Sequence, residues 1–178
     1  MDYAELEKAA GEIGFTHIAP LDPSTIVLKE EVRKMCEANT CGRYNKCWSC
    51  PPGCGSLEEF AEQIKGYQHG ILVQTVGEIE DSMDFEAMMD AEALHKRHFL
   101  QMYEYLRGKY PKTLAIGTGS CTQCKECTYP DAPCRFPDRR VSSMEAYGML
   151  VLEVCKDNHL GYYYGPNTIA YTGCFLVE

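Results

Sequence analysis

The sequence predicts a single α/β or α+β domain with a central mixed sheet of about four to five strands, flanking helices and two cysteine-rich loops. Three observations lead there. At 178 residues the chain has the length of one ordinary domain. Strand-like and helix-like stretches alternate along it, and its eleven cysteines gather mainly into two groups, Cys36 to Cys54 and Cys121 to Cys134. The patterned stretch between the groups reads as a scaffold holding two loops, and topology stays open.

The elements follow in order. Residues 2–13 form an amphipathic helix through Leu6, Ala9, Ala10 and Ile13, with Gly14 suited to a left-handed stop. A strand follows near Thr16–Ala19. Thr25–Cys36 divides into a strand at Ile26–Leu28 and a short helix at Glu30–Met35. SLEEFAEQIKGY starts on Ser56, with Glu59 completing a capping box and Leu57, Phe60 and Ile64 facing inward.

GILVQTV gives a buried strand, Ile71–Val76. Residues 84–108 then form a long helix with Phe85, Met88, Phe99, Met102 and Leu106 inward and Pro111 just beyond. TLAIGTGS is a strand at Thr113–Ile116 opening through a glycine turn into Cys121. From Ser142 a helix is expected, with a capping box in Ser142 and Glu145, an apolar face in Met144, Tyr147, Val151 and Val154, and Gly161 at its end. The chain closes in one or two strands, around Tyr162–Tyr164 and Ile169–Val177.

Composition narrows the chemistry. No apolar run approaches the roughly 18 residues of a membrane span, and the acidic, helix-like MDYAELEKAAGEIG lacks the marks of a signal peptide. A cytoplasmic location is expected. There thiols stay reduced, so eleven cysteines, an odd count, point away from a disulfide framework and toward metal or redox chemistry. A formal net charge of −9 argues against a basic nucleic-acid groove and suits a basic docking partner.

CTQCKECTYPDAPC carries Cys121, Cys124 and Cys127 as C-x2-C-x2-C, with Cys134 after six more residues. Zinc sites usually take paired ligands from two separated knuckles. Three closely spaced cysteines and a later fourth suit a [4Fe-4S] cubane, where each thiolate binds a different iron. Pro130 and Pro133 stiffen the return, and Gly117 and Gly119 let backbone N–H groups approach the sulfurs. Lys125, Arg135, Arg139 and Arg140 are cations placed to offset cluster charge, or a solvated face.

CEANTCGRYNKCWSCPPGC offers Cys36, Cys41, Cys47, Cys50 and Cys54, five candidates for four positions. Pro51 and Pro52 follow Cys50 much as a proline follows the last cysteine of ferredoxin runs. A second [4Fe-4S] cluster is the first reading, assigned to Cys36, Cys41, Cys50 and Cys54, with the choice of fourth ligand against Cys47 left open by the sequence. Zinc is the alternative because the spacing is irregular and Cys47 and Cys50 form a C-x2-C pair. Trp48, the lone tryptophan, shields this site or fills the core.

VRKMCEANTCGRYNKCWSCPPGCGSLEEF and CTQCKECTYPDAPCRFPDRRVSSMEAYGMLV together resemble the DUF2284 family of predicted metal-binding proteins, over roughly residues 30–178. The resemblance rests on Cys36, Cys41, Tyr44, Trp48, Cys50, Pro51 and Pro52, and on Cys121, Cys124, Cys127, Pro130, Pro133, Cys134, Arg135 and the run Ser143–Gly148. It implies a small, cysteine-rich, cytoplasmic protein of a kind found largely among anaerobes and methanogens, and supplies no reaction. Cys47 and Cys54 stand outside the family pattern, and some relatives carry cysteine where this chain has Phe60. A three-cysteine site with one open iron is therefore an alternative.

Other signals are weaker. His95 and His98, three residues apart on the long helix, read as surface histidines, and GTGS lacks the lysine of a phosphate loop. Cys155 and Cys174 read as small buried hydrophobes. Three functions compete: a two-cluster protein passing single electrons to a redox partner, a cluster-dependent redox enzyme with an open iron and Tyr44 as proton donor, and a zinc-structured interaction module.

Overall fold

The computed structural model describes residues 1–178 and has an α+β architecture. One open mixed sheet runs in the order β1-β2-β5-β3-β4. Its strands are β1 (His17–Leu21), β2 (His69–Glu78), β3 (Thr113–Gly117), β4 (Ser142–Ser143) and β5 (Thr168–Val177). All pairings are antiparallel except β3 with β4, which is parallel.

The period of two along the strands divides the core. Ile71 and Val73 of β2 and Phe175 and Val177 of β5 face α1 (Tyr3–Ile13) and α4 (Phe85–Lys109), meeting Leu6, Phe99, Met102 and Leu106. Leu72, Cys174 and Leu176 face the other way, toward α3 (Leu57–Ile64), α5 (Val151–Asp157) and the segment around Met144–Met149, while α2 (Glu30–Glu37) buries Val32. Both faces are thus covered. Cys155 and Cys174 are fully buried, as small hydrophobes would be.

Local chemistry explains the helix ends. Asp2 accepts the N–H of Glu5 at 3.2 Å, and Gly14 stops α1 at φ +112°. Ser56 and Glu59 form the expected capping box on α3. The long helix runs over the expected stretch, with Phe99, Met102 and Leu106 buried and Phe85 59% exposed at its first turn.

Four expectations are corrected. Ile26–Leu28 is no strand: Asp22 and Pro23 start a 3-10 turn, Thr25 donates to the Asp22 carbonyl at 2.7 Å, and only Leu28 makes an isolated bridge, to Met149. The helix expected from Ser142 is confined to α5, because Ser142 pairs with Ile116 at the sheet edge and Gly148, at φ +75°, turns the chain before the helix starts. Tyr162–Tyr164 is irregular, and Tyr164 donates its hydroxyl to Gln74 at 2.7 Å instead of joining a ladder. His95 is wholly buried on the sheet side of α4, its Nδ1 3.1 Å from the Thr75 hydroxyl.

Candidate metal centre

Both cysteine groups sit at one end of the sheet. The first opens from the last turn of α2, where Cys36 lies, and closes at the start of α3. Asn39, Gly42 and Asn45 adopt positive φ, which lets the chain reverse in a short space. The Asn39 side chain accepts the N–H of Tyr44 at 3.0 Å, and the Asn45 N–H reaches the Pro51 carbonyl at 2.7 Å. Arg33 fastens the base: it donates to the carbonyls of Ala146, at 2.8 Å, and Gly55.

The turns deal the five thiols to different surroundings. Cys36, Cys41 and Cys50 line one cleft of about 650 Å³ together with Tyr44, Arg43 and Pro51. Across it stand Glu92 and Lys96 of α4, Ser120 and Thr122 of the second loop, and Glu145. Lys96 and Glu92 pair at 2.6 Å in the cleft wall. Gly119 fits beside them at φ +61°, where a Cβ would stand 2.7 Å from Glu92 Oε1.

Cys47 and Cys54 do not line this cleft, although the Cys47 thiol is hydrogen-bonded to Cys50. Cys54 is 5% exposed and packs in the core with Phe60 and Tyr147, its thiol directed at the Gly55 carbonyl 4.0 Å away. Cys47, 8% exposed, has its sulfur 3.5 Å from the Ser49 hydroxyl. A hydrogen bond from Cys50 holds the Cys47 thiol well below the ordinary thiol range, and the same bond pushes Cys50 up. Burial raises Cys36, reinforced by the Glu145 carboxylate, and raises Cys54 against the opposing charge of Arg33.

The second group leaves the end of β3, where the glycine turn delivers Cys121. Cys121, Cys124, Cys127 and Cys134 are all partly exposed on one loop. Arg135 donates to the Glu126 carbonyl at 2.8 Å and the Thr128 hydroxyl to the Pro133 carbonyl at 2.8 Å, closing the loop on itself. The chain then returns through a 3-10 turn, Pro137–Arg139, to β4.

Three hydrogen bonds join the two loops. The Ser49 hydroxyl accepts the N–H of Cys121 at 3.0 Å, Trp48 donates its indole N–H to the Ala132 carbonyl at 3.0 Å, and Tyr129 donates its hydroxyl to Asn45 at 2.6 Å. Trp48 and Tyr129 also meet edge to face at 4.9 Å. Trp48 therefore acts as a strut between the loops, a role distinct from a core aromatic. Sequence reasoning missed Ser49, Glu92 and Lys96, because a serine inside C-W-S-C and a charged pair on a helix carry no pattern of their own.

All eleven cysteines are free, and no group of three His, Cys, Asp or Glu side chains stands at the spacing of a single bound metal ion. The donor set nevertheless fits thiophilic metal: three thiols share one cleft wall, and four share one loop. Neither curated proteins nor solved structures yield a match to this chain. The family model of predicted metal-binding proteins, DUF2284, matches residues 19–177, and the chain belongs to that family.

Proposed function

We propose that this protein is an iron–sulfur redox protein with two [4Fe-4S] clusters that transfers single electrons. The second cluster is assigned to Cys121, Cys124, Cys127 and Cys134, and the first to Cys36, Cys41, Cys50 and Cys54, the last of which must turn out of the core to bind. When bound, such clusters supply one-electron chemistry at potentials set by sulfur hydrogen bonds, charge and burial. The observation that carries this reading is the joining of the loops by Ser49, Trp48 and Tyr129. Two cysteine loops far apart in sequence are thereby joined, as transfer between their clusters would require.

The remaining residues have physical roles in this scheme. Ser49 fixes the Cys121 backbone and lies beside the Cys47 sulfur, so its hydroxyl sets the polarity between the groups. Trp48 and Tyr129, packed edge to face, brace that seam. With a chain charge of −9, a redox partner with a basic docking face is favoured. No helix of the chain is long and apolar enough to cross a membrane.

One observation favours a second reading, a redox enzyme. Cys54 faces the core while Cys36, Cys41 and Cys50 face a cleft large enough for a small molecule. A site held by three thiolates would leave one coordination position without a protein thiolate, and Tyr44, Lys96 and Glu145 of the same cleft are the groups able to orient a bound molecule or hold a proton.

The test is purification without oxygen, followed by iron, zinc and sulfide analysis per chain and EPR before and after dithionite, for the native protein and Cys134→Ala. About eight irons and eight sulfides, with half lost in the variant, support two clusters. Zinc without sulfide overturns both redox readings and leaves the zinc-structured module, for which the Cys47/Cys50 pair offers a knuckle.

A further inference from the structure

Behind the cleft, between α4 and the strand end that opens the second loop, lies a small cavity of about 20 Å³. His95, Gly117, Ser120, Cys121 and Gln123 form part of its wall. Lys96, Ser120 and Thr122 line both this cavity and the cleft, so the cavity is the inward end of the cleft.

His95 is 0% exposed, and its Nε2 has no hydrogen-bond partner although Nδ1 meets Thr75. Phe15 packs against the ring edge-on at 5.8 Å, and Phe99 lies tilted at 5.9 Å. These neighbours offer Nε2 nothing polar. A buried polar atom left without a partner costs roughly 1–3 kcal/mol, and nearly all such atoms in folded proteins are satisfied by protein or by ordered water. A cavity needs only about 10–15 Å³ to admit one water, provided polar groups surround it. This one has the volume and, in Ser120, Thr122 and Gln123, the polar wall.

We propose that the cavity is a single-water site, in which one ordered water binds Nε2 of His95 and the polar groups at the start of the second cysteine loop. His95 is thereby a positioning residue for that loop: it acts on Cys121 through the water and touches no metal. Part of this inference, the effect on potential, rests on the cluster reading above. The water site itself does not.

A crystal structure of the metal-loaded protein at a resolution that shows ordered water tests the site directly. One water within hydrogen-bond distance of His95 Nε2 is expected, and its absence overturns the proposal. His95→Phe keeps the aromatic packing and removes the nitrogen, while His95→Gln restores a polar end. In an EPR-monitored redox titration, His95→Phe should shift the reduction equilibrium of the second cluster about tenfold toward the oxidised form, about 59 mV for one electron. The first cluster should not move, and His95→Gln should recover most of the shift.

Equal shifts in both clusters, or no shift in either, overturn the positioning role. If the bound metal is zinc, the cluster reading fails, and the role is judged instead by release of the second loop's metal to a chelator. That release should quicken several-fold in His95→Phe and return toward the native rate in His95→Gln, and unchanged release overturns the role. If neither variant folds, the water in the native crystal decides alone.

Discussion

The hydroxyl oxygen of Ser49 accepts the backbone N–H of Cys121 at 3.0 Å, joining two cysteine groups whose linked residues stand 72 positions apart. Ser49 is almost fully buried, so nothing in solvent replaces this bond when it is lost. Ser49→Ala should lower stability by roughly 1–3 kcal/mol, the cost of an unsatisfied buried donor. For a chain of this size each kcal/mol shifts the melting temperature by about 2–4 °C. A calorimetric scan of the metal-loaded protein measures it; an unchanged melting temperature would show that the seam contributes nothing to the fold.

Gly53 is the tightest point of the same seam. A Cβ there would stand 2.7 Å from the Tyr129 ring and 2.9 Å from the Cys47 carbonyl, and the carbonyl belongs to backbone that cannot swing aside. Gly53→Ala should therefore cost about 1–3 kcal/mol and speed metal loss from both groups, by analogy with overpacking in cores. Gly108→Ala is the matched control. It lies on α4 with nothing within 4 Å of the added methyl, and should stabilise by up to about 1 kcal/mol. Thermal melts and chelator kinetics on the two variants should give opposite signs.

Much of this fold was legible because it is written in short-range chemistry. The Ser56/Glu59 capping box, the Gly14 stop and the apolar runs of β2 and β5 all act within a few residues, and all stand where periodicity places them. The failure after Ser142 has a long-range cause. Met144, Tyr147 and Val154 are buried as a helical pattern would bury them, yet sheet pairing at Ser142 and the turn at Gly148 split that stretch, and both depend on partners distant in sequence. The same holds for the site. The two cysteine groups were legible from spacing, whereas the separation of Cys54 from Cys36, Cys41 and Cys50 depends on how the first loop folds over α3. His95 was misplaced to the surface because its neighbours Lys96 and Arg97 make the stretch read as polar.

That burial gives stability a pH dependence. Burial, reinforced by His98 and Lys96, lowers the His95 pKa to about 3, against about 6.5 in an unfolded chain. The folded protein holds a neutral imidazole, so its contribution is complete above about pH 6.5 and is lost as pH falls toward about 3, because the unfolded chain takes up the proton first. The loss reaches about 2 kcal/mol by about pH 5. His95→Phe cannot titrate. Urea unfolding of both proteins between those pH values should show a native curve that is steeper than the variant's by this amount, and parallel curves would place the His95 ring in bulk solvent rather than in a closed site.

The placement of Cys54 divides the two cysteine sets that the first group allows. Cys54 packs between Phe60 and Tyr147 in the core, whereas Cys50 lines the cleft with Cys36 and Cys41. Cys50→Ala should therefore lose the first group's metal, about half of the iron in the cluster reading. On the three-thiolate reading, Cys54→Ala should keep the metal and cost about 1 kcal/mol, the transfer and cavity terms of one small buried side chain. Metal analysis of both variants beside Cys134→Ala is sufficient. Metal loss in Cys54→Ala equal to that in Cys50→Ala would mean that the first loop refolds around its metal to bring Cys54 out of the core, closing the coordination position that the enzyme reading requires. Retention would leave that position without a protein thiolate, at a site whose cleft Tyr44, Lys96 and Glu145 also line.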